Sequence, residues 1–303
     1  MKLTIAAVAC AGSGVVCGIP VQHMRDDTMT ELDLRNKGLC GPVAMLISYL
    51  IPAMGRLTSI DVRQNNIAGD GAVQLAAAVL GNLKIEIFNK IPIKEMRANS
   101  LTELDLNWKY FGVEGGMVVA GLIPVMGGLT SLSLAKNELD DDGAEAISIG
   151  LKENKSLTKL DLSGKGYGDG LIGPRGAAAL ASAIAVNGAL TSVEFRGNKL
   201  GDEGWGAIFA AICGNKDSKI MSMYVSGENI GPAGVNLIAE ALRTNVTGAI
   251  DQKCICNSFC PLRGEDVCFL FVVPVASDKI RREVERRQPA VDAKHPGHML
   301  GTC

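Results

Sequence analysis

Leu157–Ala185 reads LTKLDLSGKGYGDGLIGPRGAAALASAIA. Its apolar residues change period partway along. Leu157, Leu160 and Leu162 hold positions 1, 4 and 6 of the segment, and the last two have the two-residue spacing of a strand with one buried face. Glycines follow, and then Ala177–Ala185 (AAALASAIA) is a run of good helix formers with small side chains. One strand and one helix cannot bury both apolar faces by themselves. Such a module needs neighbours of its own kind.

The neighbours are in the chain. LTSIDVRQNNI starts at Leu57, LTELDLNWKYF at Leu101, LTSLSLAKNEL at Leu129 and LTSVEFRGNKL at Leu190. MTELDLRNKGL at Met29 opens the series, and a degenerate copy, IMSMYVSGENI, begins at Ile220. The starts are 28, 44, 28, 28, 33 and 30 residues apart. The gap of 44 predicts a short extra unit with its strand at Lys84–Phe88 (KIEIF). A longer period overlies this one. Ile19–Val62 matches Ile91–Leu134 at an offset of 72, with 19 identities in 44 positions, so a block of repeats is duplicated.

Position 11 of each unit is apolar again: Leu39, Ile67, Phe111, Leu139, Tyr167, Leu200 and Ile230. A turn glycine follows at Gly71, Gly115, Gly143, Gly204 and Gly234, and helices are predicted over Ala72–Leu80, Ala144–Leu151, Ala177–Ala185 and Val235–Leu242. Side-by-side stacking then gives a continuous parallel sheet with a row of helices behind it, and each buried Leu or Ile contributes roughly 1.5–3 kcal/mol. The unit LTKLDLSGK…GAAALASAIAVNGA resembles the ribonuclease-inhibitor-like class of leucine-rich repeats. That resemblance covers about Ile19 to Asn245. It implies an α/β horseshoe, with parallel strands on the concave side and helices on the convex side. It also implies an asparagine at position 9 tying the turn backbone. Asn65, Asn137 and Asn198 fit, whereas Lys37, Lys109, Lys165 and Glu228 stand there in the other units, whose turns need a different partner.

In such a strand position 5 points outward. It reads Asp33, Asp61, Asp105, Ser133, Asp161, Glu194 and Tyr224, five of the seven acidic. On strands about 4.8 Å apart, neighbouring carboxylates repel by roughly 0.9 kcal/mol even in water. Position 7 also points outward and supplies Arg35, Arg63 and Arg196, which partly offset the acids. The candidate binding face is therefore Asp33, Arg35, Asp61, Arg63, Asp105, Asp161, Glu194, Arg196 and Tyr224, suited to a basic or mixed-charge protein partner. A solvated strand face is the plain alternative. The loop Lys165–Pro174 lengthens its unit by about five residues on one rim, where repeat proteins often contact partners.

Composition narrows the chemistry. With 30 basic and 32 acidic residues the formal charge is -2, which speaks against a nucleic-acid partner. Only His23, His295 and His298 are present, none central, so no nucleophile, base and orienter constellation emerges, and neither cofactor nor metal is expected. No apolar run is long enough to span a membrane as a helix. Gly168-x-Gly170-x-x-Gly173 imitates a dinucleotide fingerprint, with Glu194 about 20 residues on, yet the other copies lack the three glycines and it reads as a turn. Cys254, Cys256, Cys260 and Cys268 lack the spacing of paired zinc knuckles and read as cap-packing thiols, with zinc or disulfides as alternatives. Asn154-Lys-Ser and Asn245-Val-Thr are glycosylation sequons if the chain is secreted.

The chain divides into four parts. Residues 1–18 form a truncated repeat or a signal-like segment, 19–245 the solenoid, 246–278 a Cys-containing cap and 279–303 a charged, disordered tail. The functional expectation is a non-catalytic scaffold, cytoplasmic unless the first residues are a secretion signal, that binds another protein through its concave face or rim loops. The rival is a GTPase-activating protein similar to the activator of the Ran GTPase, which uses the same repeat type. No motif here transfers to it residue by residue.

Overall fold

The computed structural model describes residue 15, 18–164, 171–220, 223, 225 and 227–243, together with the backbone of 254–255 and 271–272. Tyr224, the loop residues 165–170, Cys256, Cys260, Cys268, the tail and nearly all of the segment before Ile19 lie outside the described residues.

The elements alternate as the repeats require. In chain order they are α1 (Val21–Arg25), β1 (Glu31–Asp33), α2 (Gly41–Leu50), β2 (Ser59–Asp61), α3 (Asp70–Gly81), β3 (Ile87–Phe88), β4 (Ile91–Pro92) and α4 (Ile93–Arg97). Then come β5 (Glu103–Asp105), α5 (Gly112–Leu122), β6 (Ser131–Ser133), α6 (Asp140–Glu153), β7 (Lys159–Asp161), α7 (Pro174–Ile184), β8 (Ser192–Glu194), α8 (Gly201–Gly214) and α9 (Pro232–Arg243). Short 3-10 turns follow α2 (Ile51–Ala53) and α5 (Ile123–Val125). Beyond α9, β9 (Cys254–Ile255) pairs antiparallel with β10 (Phe271–Val272). Along β1–β3 and along β5–β8 strand neighbours are parallel and in register, Leu32 beside Ile60, and Leu104, Leu132, Leu160 and Val193 following one another in a row. This is the α/β leucine-rich-repeat fold.

Positions 4 and 6 are buried in all seven units, from Leu32 and Leu34 to Met223 and Val225. Behind them the long helices pack in sequence order, α2 on α3, α3 on α5, and so on to α9. The helices begin two to four residues before their apolar runs: acids occupy the first turns of α3 (Asp70) and α6 (Asp140–Asp142), where the macrodipole favours them, and Pro174 and Pro232 open α7 and α9. The expected turn glycines therefore lie inside that first turn. Gly71 is needed there: a Cβ on it would stand 2.4 Å from Cα and the carbonyl oxygen of Gly41, so only glycine lets α3 meet α2.

Polar ladders hold the units in register. Thr58, Thr130, Thr158 and Thr191 each donate Oγ1–H to the backbone oxygen of the position-2 threonine one unit earlier, which accounts for the recurrent Leu-Thr. Asn137 Oδ1 accepts from the Lys109 and Tyr110 N–H groups, and its Nδ2 donates to Leu106 O and Leu134 O. Asn65 does the same for the first turn, and Asn198 Nδ2 donates to Leu162 O and Phe195 O. Where the asparagine is lost, Glu228 Oε1 accepts from Gly197 N–H instead. A second ladder, on the helix side, uses Asn82, Asn154, Asn187 and Asn215, whose Nδ2 groups donate to carbonyls of the unit before. Asn154 is thus buried and bonded, so its sequon is closed to glycosylation in this fold.

Three expectations need correction. The sheet is not continuous: it falls into β1–β4 and β5–β8. The extra unit yields only Ile87–Phe88, parallel to β2, and the chain then turns through Asn89 and Lys90 to pair β4 antiparallel with β3. At the seam a side chain replaces strand pairing. Asn89 Oδ1 accepts from Val62 N–H, and its Nδ2 donates to Phe111 O and to Glu114 Oε1. Finally, the position-11 place assigned to Tyr167 is held by the buried Ile172: its carbonyl accepts from Lys199 N–H as that of Leu39 accepts from Asn66 N–H. The five-residue insertion therefore precedes the position-11 anchor.

Candidate protein-docking face

The outward residues of the strands alternate with the buried leucines, so Asp33, Asp61, Asp105, Asp161 and Glu194 all face away from the core. They do not form one row. Asp33 lies beside Asp61, while Asp105 continues through Ser133 and Asp161 to Glu194 in the second sheet.

Each acid has a local task that the sequence reading missed. Its carboxylate accepts the N–H of position 7, at 3.1 Å for Asp33, 3.2 Å for Asp61, 2.9 Å for Asp105, 2.9 Å for Asp161 and 3.2 Å for Glu194. This satisfies a backbone donor as the chain leaves the sheet. An arginine at position 7 then lies over the same carboxylate. Arg35 binds Asp33 through Nε (2.9 Å) and Nη2 (2.6 Å), and Arg63 binds Asp61 through Nε (2.8 Å) and Nη2 (2.7 Å). Arg35 Nε also comes within 3.6 Å of Asp61, and Arg63 Nη1 donates across the seam to Lys109 O. The Arg35 guanidinium, with its backbone N–H, draws the Asp33 carboxyl down to about 2. Glu194 is paired with Arg196 at 2.9 Å.

Between these zippers the face is different. Position 7 is Asn107 after Asp105 and Ser163 after Asp161. Glu103, Asp105 and Asp161 form no ion pair with any described residue; Asp161 takes only the Ser163 hydroxyl (2.7 Å) and N–H. Of the predicted face, Asp33, Arg35, Asp61, Arg63, Glu194 and Arg196 are thus mutually neutralised, Asp105 and Asp161 are open, and Tyr224 lies outside the described residues.

A cluster at the edge of the open stretch went unread in the sequence. Position 8 is left-handed at Asn36, Gln64, Trp108, Lys136, Gly197 and Gly227. Asn and Gly accept that conformation readily; for a tryptophan, φ 57° costs about 1–2 kcal/mol. Yet Trp108 remains 45% exposed. Its ring lies 5.9 Å from that of Tyr110, which is also left-handed, and Lys136 Nζ stands 4.8 Å from its centroid. The readable signal was an aromatic at the turn position where other units carry Asn, Gln, Lys or Gly.

Asp141 Oδ1 accepts from Gly173 N–H (2.7 Å) and Gly176 N–H (2.8 Å), occupying the donors at the start of α7 that a bound phosphate would require. Among the described residues no group of three or more His, Cys, Asp or Glu is placed to hold a metal. Cys40 is a free thiol. No described helix is long and apolar enough to cross a membrane.

Comparison with known proteins agrees on the repeat. The family model "Leucine Rich repeat" matches residues 57–76, 129–148 and 189–209. Among solved structures, the leiomodin-1 actin-binding site 2 is similar at 21% identity and a TM-score of 0.40, over 51% of this chain and 89% of that one. The tropomodulin C-terminal domain of Caenorhabditis elegans aligns at 18% identity and a TM-score of 0.41, over 50% and 90%. An internalin of Listeria monocytogenes aligns at 12% identity and a TM-score of 0.20, over 78% and 91%.

Proposed function

We propose that this ribonuclease-inhibitor-like repeat protein is a non-catalytic docking scaffold that takes a basic or mixed-charge protein partner on its strand face. One observation carries the reading: Glu103, Asp105 and Asp161 face outward in the second sheet without a basic partner among the described residues, whereas the acids beyond them on both sides are held by arginines. A surface that neutralises its own charge at both ends and leaves it open between them offers a partner's cations a defined place to bind.

The reading is tested with Asp61→Ala, Asp105→Ala and Asp161→Ala combined, comparing capture of protein partners by the variant and by the unaltered chain over a salt series. Loss of capture, with the remaining signal insensitive to salt, is expected; equal capture removes the strand face from the account. The GTPase-activating alternative would need a rim group free to reach a partner's catalytic centre. On the strand face Arg35 and Arg63 are held on their own acids and are not free to do so, and no stimulation of single-turnover GTP hydrolysis by small GTPases is expected.

A further inference from the structure

Trp108 has no folding reason to be where it is. Seventy-two residues earlier, the same turn carries Asn36 and Gly38 in the same left-handed conformations that Trp108 and Tyr110 adopt, so the turn forms without aromatic residues and with less strain. The indole stays half-exposed, and it is not loose: Tyr110 tilts against it and Lys136 covers part of it. A large, rigid, half-exposed ring with few rotamers to lose is the kind of group that dominates an interface. Three residues before it stands the open carboxylate Asp105, with Glu103 on the same strand and Asp161 two strands on.

We infer that Trp108 is the anchor of the docking face, and that its occupant is an extended, cationic protein segment. The segment would lay an apolar side chain against the indole and place Lys or Arg side chains over Asp105 and Asp161. The inference rests on the strand-face reading above and adds the anchor and the partner's chemistry. Charge selects the class: Lys136 is engaged against the ring, whereas Glu103, Asp105 and Asp161 on β5 and β7 have no ion pair among the described residues, and such carboxylates repel nucleic acid and acidic peptides and attract cations.

The molecule supplies its own probe. Its two tryptophans are Trp108 and the fully buried Trp205, so a change in tryptophan emission on docking reports Trp108. The full chain is titrated with 12-residue peptides carrying a central leucine flanked by arginine and lysine, and with matched peptides in which glutamate replaces the basic residues. Saturable emission change with the basic series alone is expected. Trp108→Asn, which restores the residue of the first block, should weaken binding at least tenfold, followed through a fluorophore on the peptide. Asp105→Asn with Asp161→Asn should weaken it comparably at low salt and little at high salt. Circular dichroism and the Trp205 emission confirm that each variant is folded. Equal binding of the two peptide series, or none of either, overturns the inference. If Trp108→Asn binds as tightly as the unaltered chain while the acid variant fails, the anchor is wrong and the strand face stands. If only Trp108→Asn fails, the anchor stands and the acidic face falls.

Discussion

The two halves of the 72-residue duplication share a frame and differ in what they do with it. Helices α1 and α4 each follow an Ile-Pro step, bury Met24 and Met96, and end at a left-handed residue, Asp27 or Asn99. The side chains of that pair accept from Arg56 N–H and Gly128 N–H, both at 2.9 Å. Onto this shared frame the first block places Arg35, Asn36, Gly38, Pro42 and Arg63, and the second places Asn107, Trp108, Tyr110, Glu114 and Ala135. The first set neutralises acids and relaxes turns. The second leaves acids open, strains a turn with aromatics and buries a carboxyl. Local stability has been given up in one copy at Trp108 and Tyr110, which make its surface distinctive, as expected where function rather than folding chooses the residue.

The sharpest way to separate the copies is at their helix contacts. In the first block α3 touches α2 backbone to backbone at Gly71 and Gly41, 2.4 Å from where a Cβ would stand. At the matching site Gly143, the Cα of Val113 is 4.0 Å away and the nearest obstacle is the Leu139 Cβ at 3.3 Å. Gly71→Ala should therefore destabilise the protein by about 3 kcal/mol or more, since a backbone cannot rotate out of the way. Gly143→Ala should stay within about 1 kcal/mol, because helix propensity offsets the tighter contact. Urea denaturation of the two variants measures the contrast, and equal losses would mean that the blocks pack alike.

A second contrast lies in proton binding. Burial raises the Glu114 carboxyl to about 8, against which its hydrogen bond from Asn89 works only in part. Asp140 and Glu138 nearby push it further in the same direction. The folded protein therefore keeps this proton up to about pH 8, whereas the unfolded chain releases it near the ordinary value of 4.5. Stability from this group is complete below about 4.5 and is lost as pH rises towards 8, at up to about 1.4 kcal/mol per pH unit. Glu114→Gln keeps an acceptor for Asn89 and cannot ionise. It should flatten that decline and raise stability at pH 7.5 by up to about 4 kcal/mol, measured by urea denaturation at pH 5 and pH 7.5. An unchanged pH profile would show that Glu114 is already ionised in the folded seam.

The outline of this architecture was legible because burial repeats: Leu at positions 1, 4 and 6 needs no tertiary information to read, and the predicted sites are buried or half-buried in the structure. The break in the sheet was not legible. Lys84–Phe88 alternates like any strand, and the outcome turns on one amide, Asn89, whose partners Val62, Phe111 and Glu114 are up to 27 residues away. The helix-side ladder left a trace in the Asn-x-x-Leu and Asn-x-x-Ile of Asn82, Asn154 and Asn187, masked at Leu57 and Leu129 by Met54 and Met126. On the docking face the acids were readable, and their pairing was readable too, two residues downstream. Trp108 was hidden by counting: a 4% aromatic content says little about one ring held outward by a strained turn.

The smallest expected effect tests whether the first block is closed in solution. Asp33 is exposed, and its pKa, lowered to about 2, depends first on the hydrogen bond from the Arg35 side chain. Its folded value is depressed, so what it contributes is present above the unfolded value of 3.8 and is lost as pH falls towards 2. Arg35→Ala should return the Asp33 carboxyl towards 3.8 in an NMR titration while leaving the urea midpoint at pH 7 almost unmoved, because solvent screens an exposed pair. The consequence for docking is the informative part. Asp33 freed of its arginine would resemble Asp105, and the first block should then begin to bind the basic peptides that the second block takes. If it gains no binding with its acid released, open carboxylates alone do not make the surface, and the weight of recognition falls on the ring that the first block lacks.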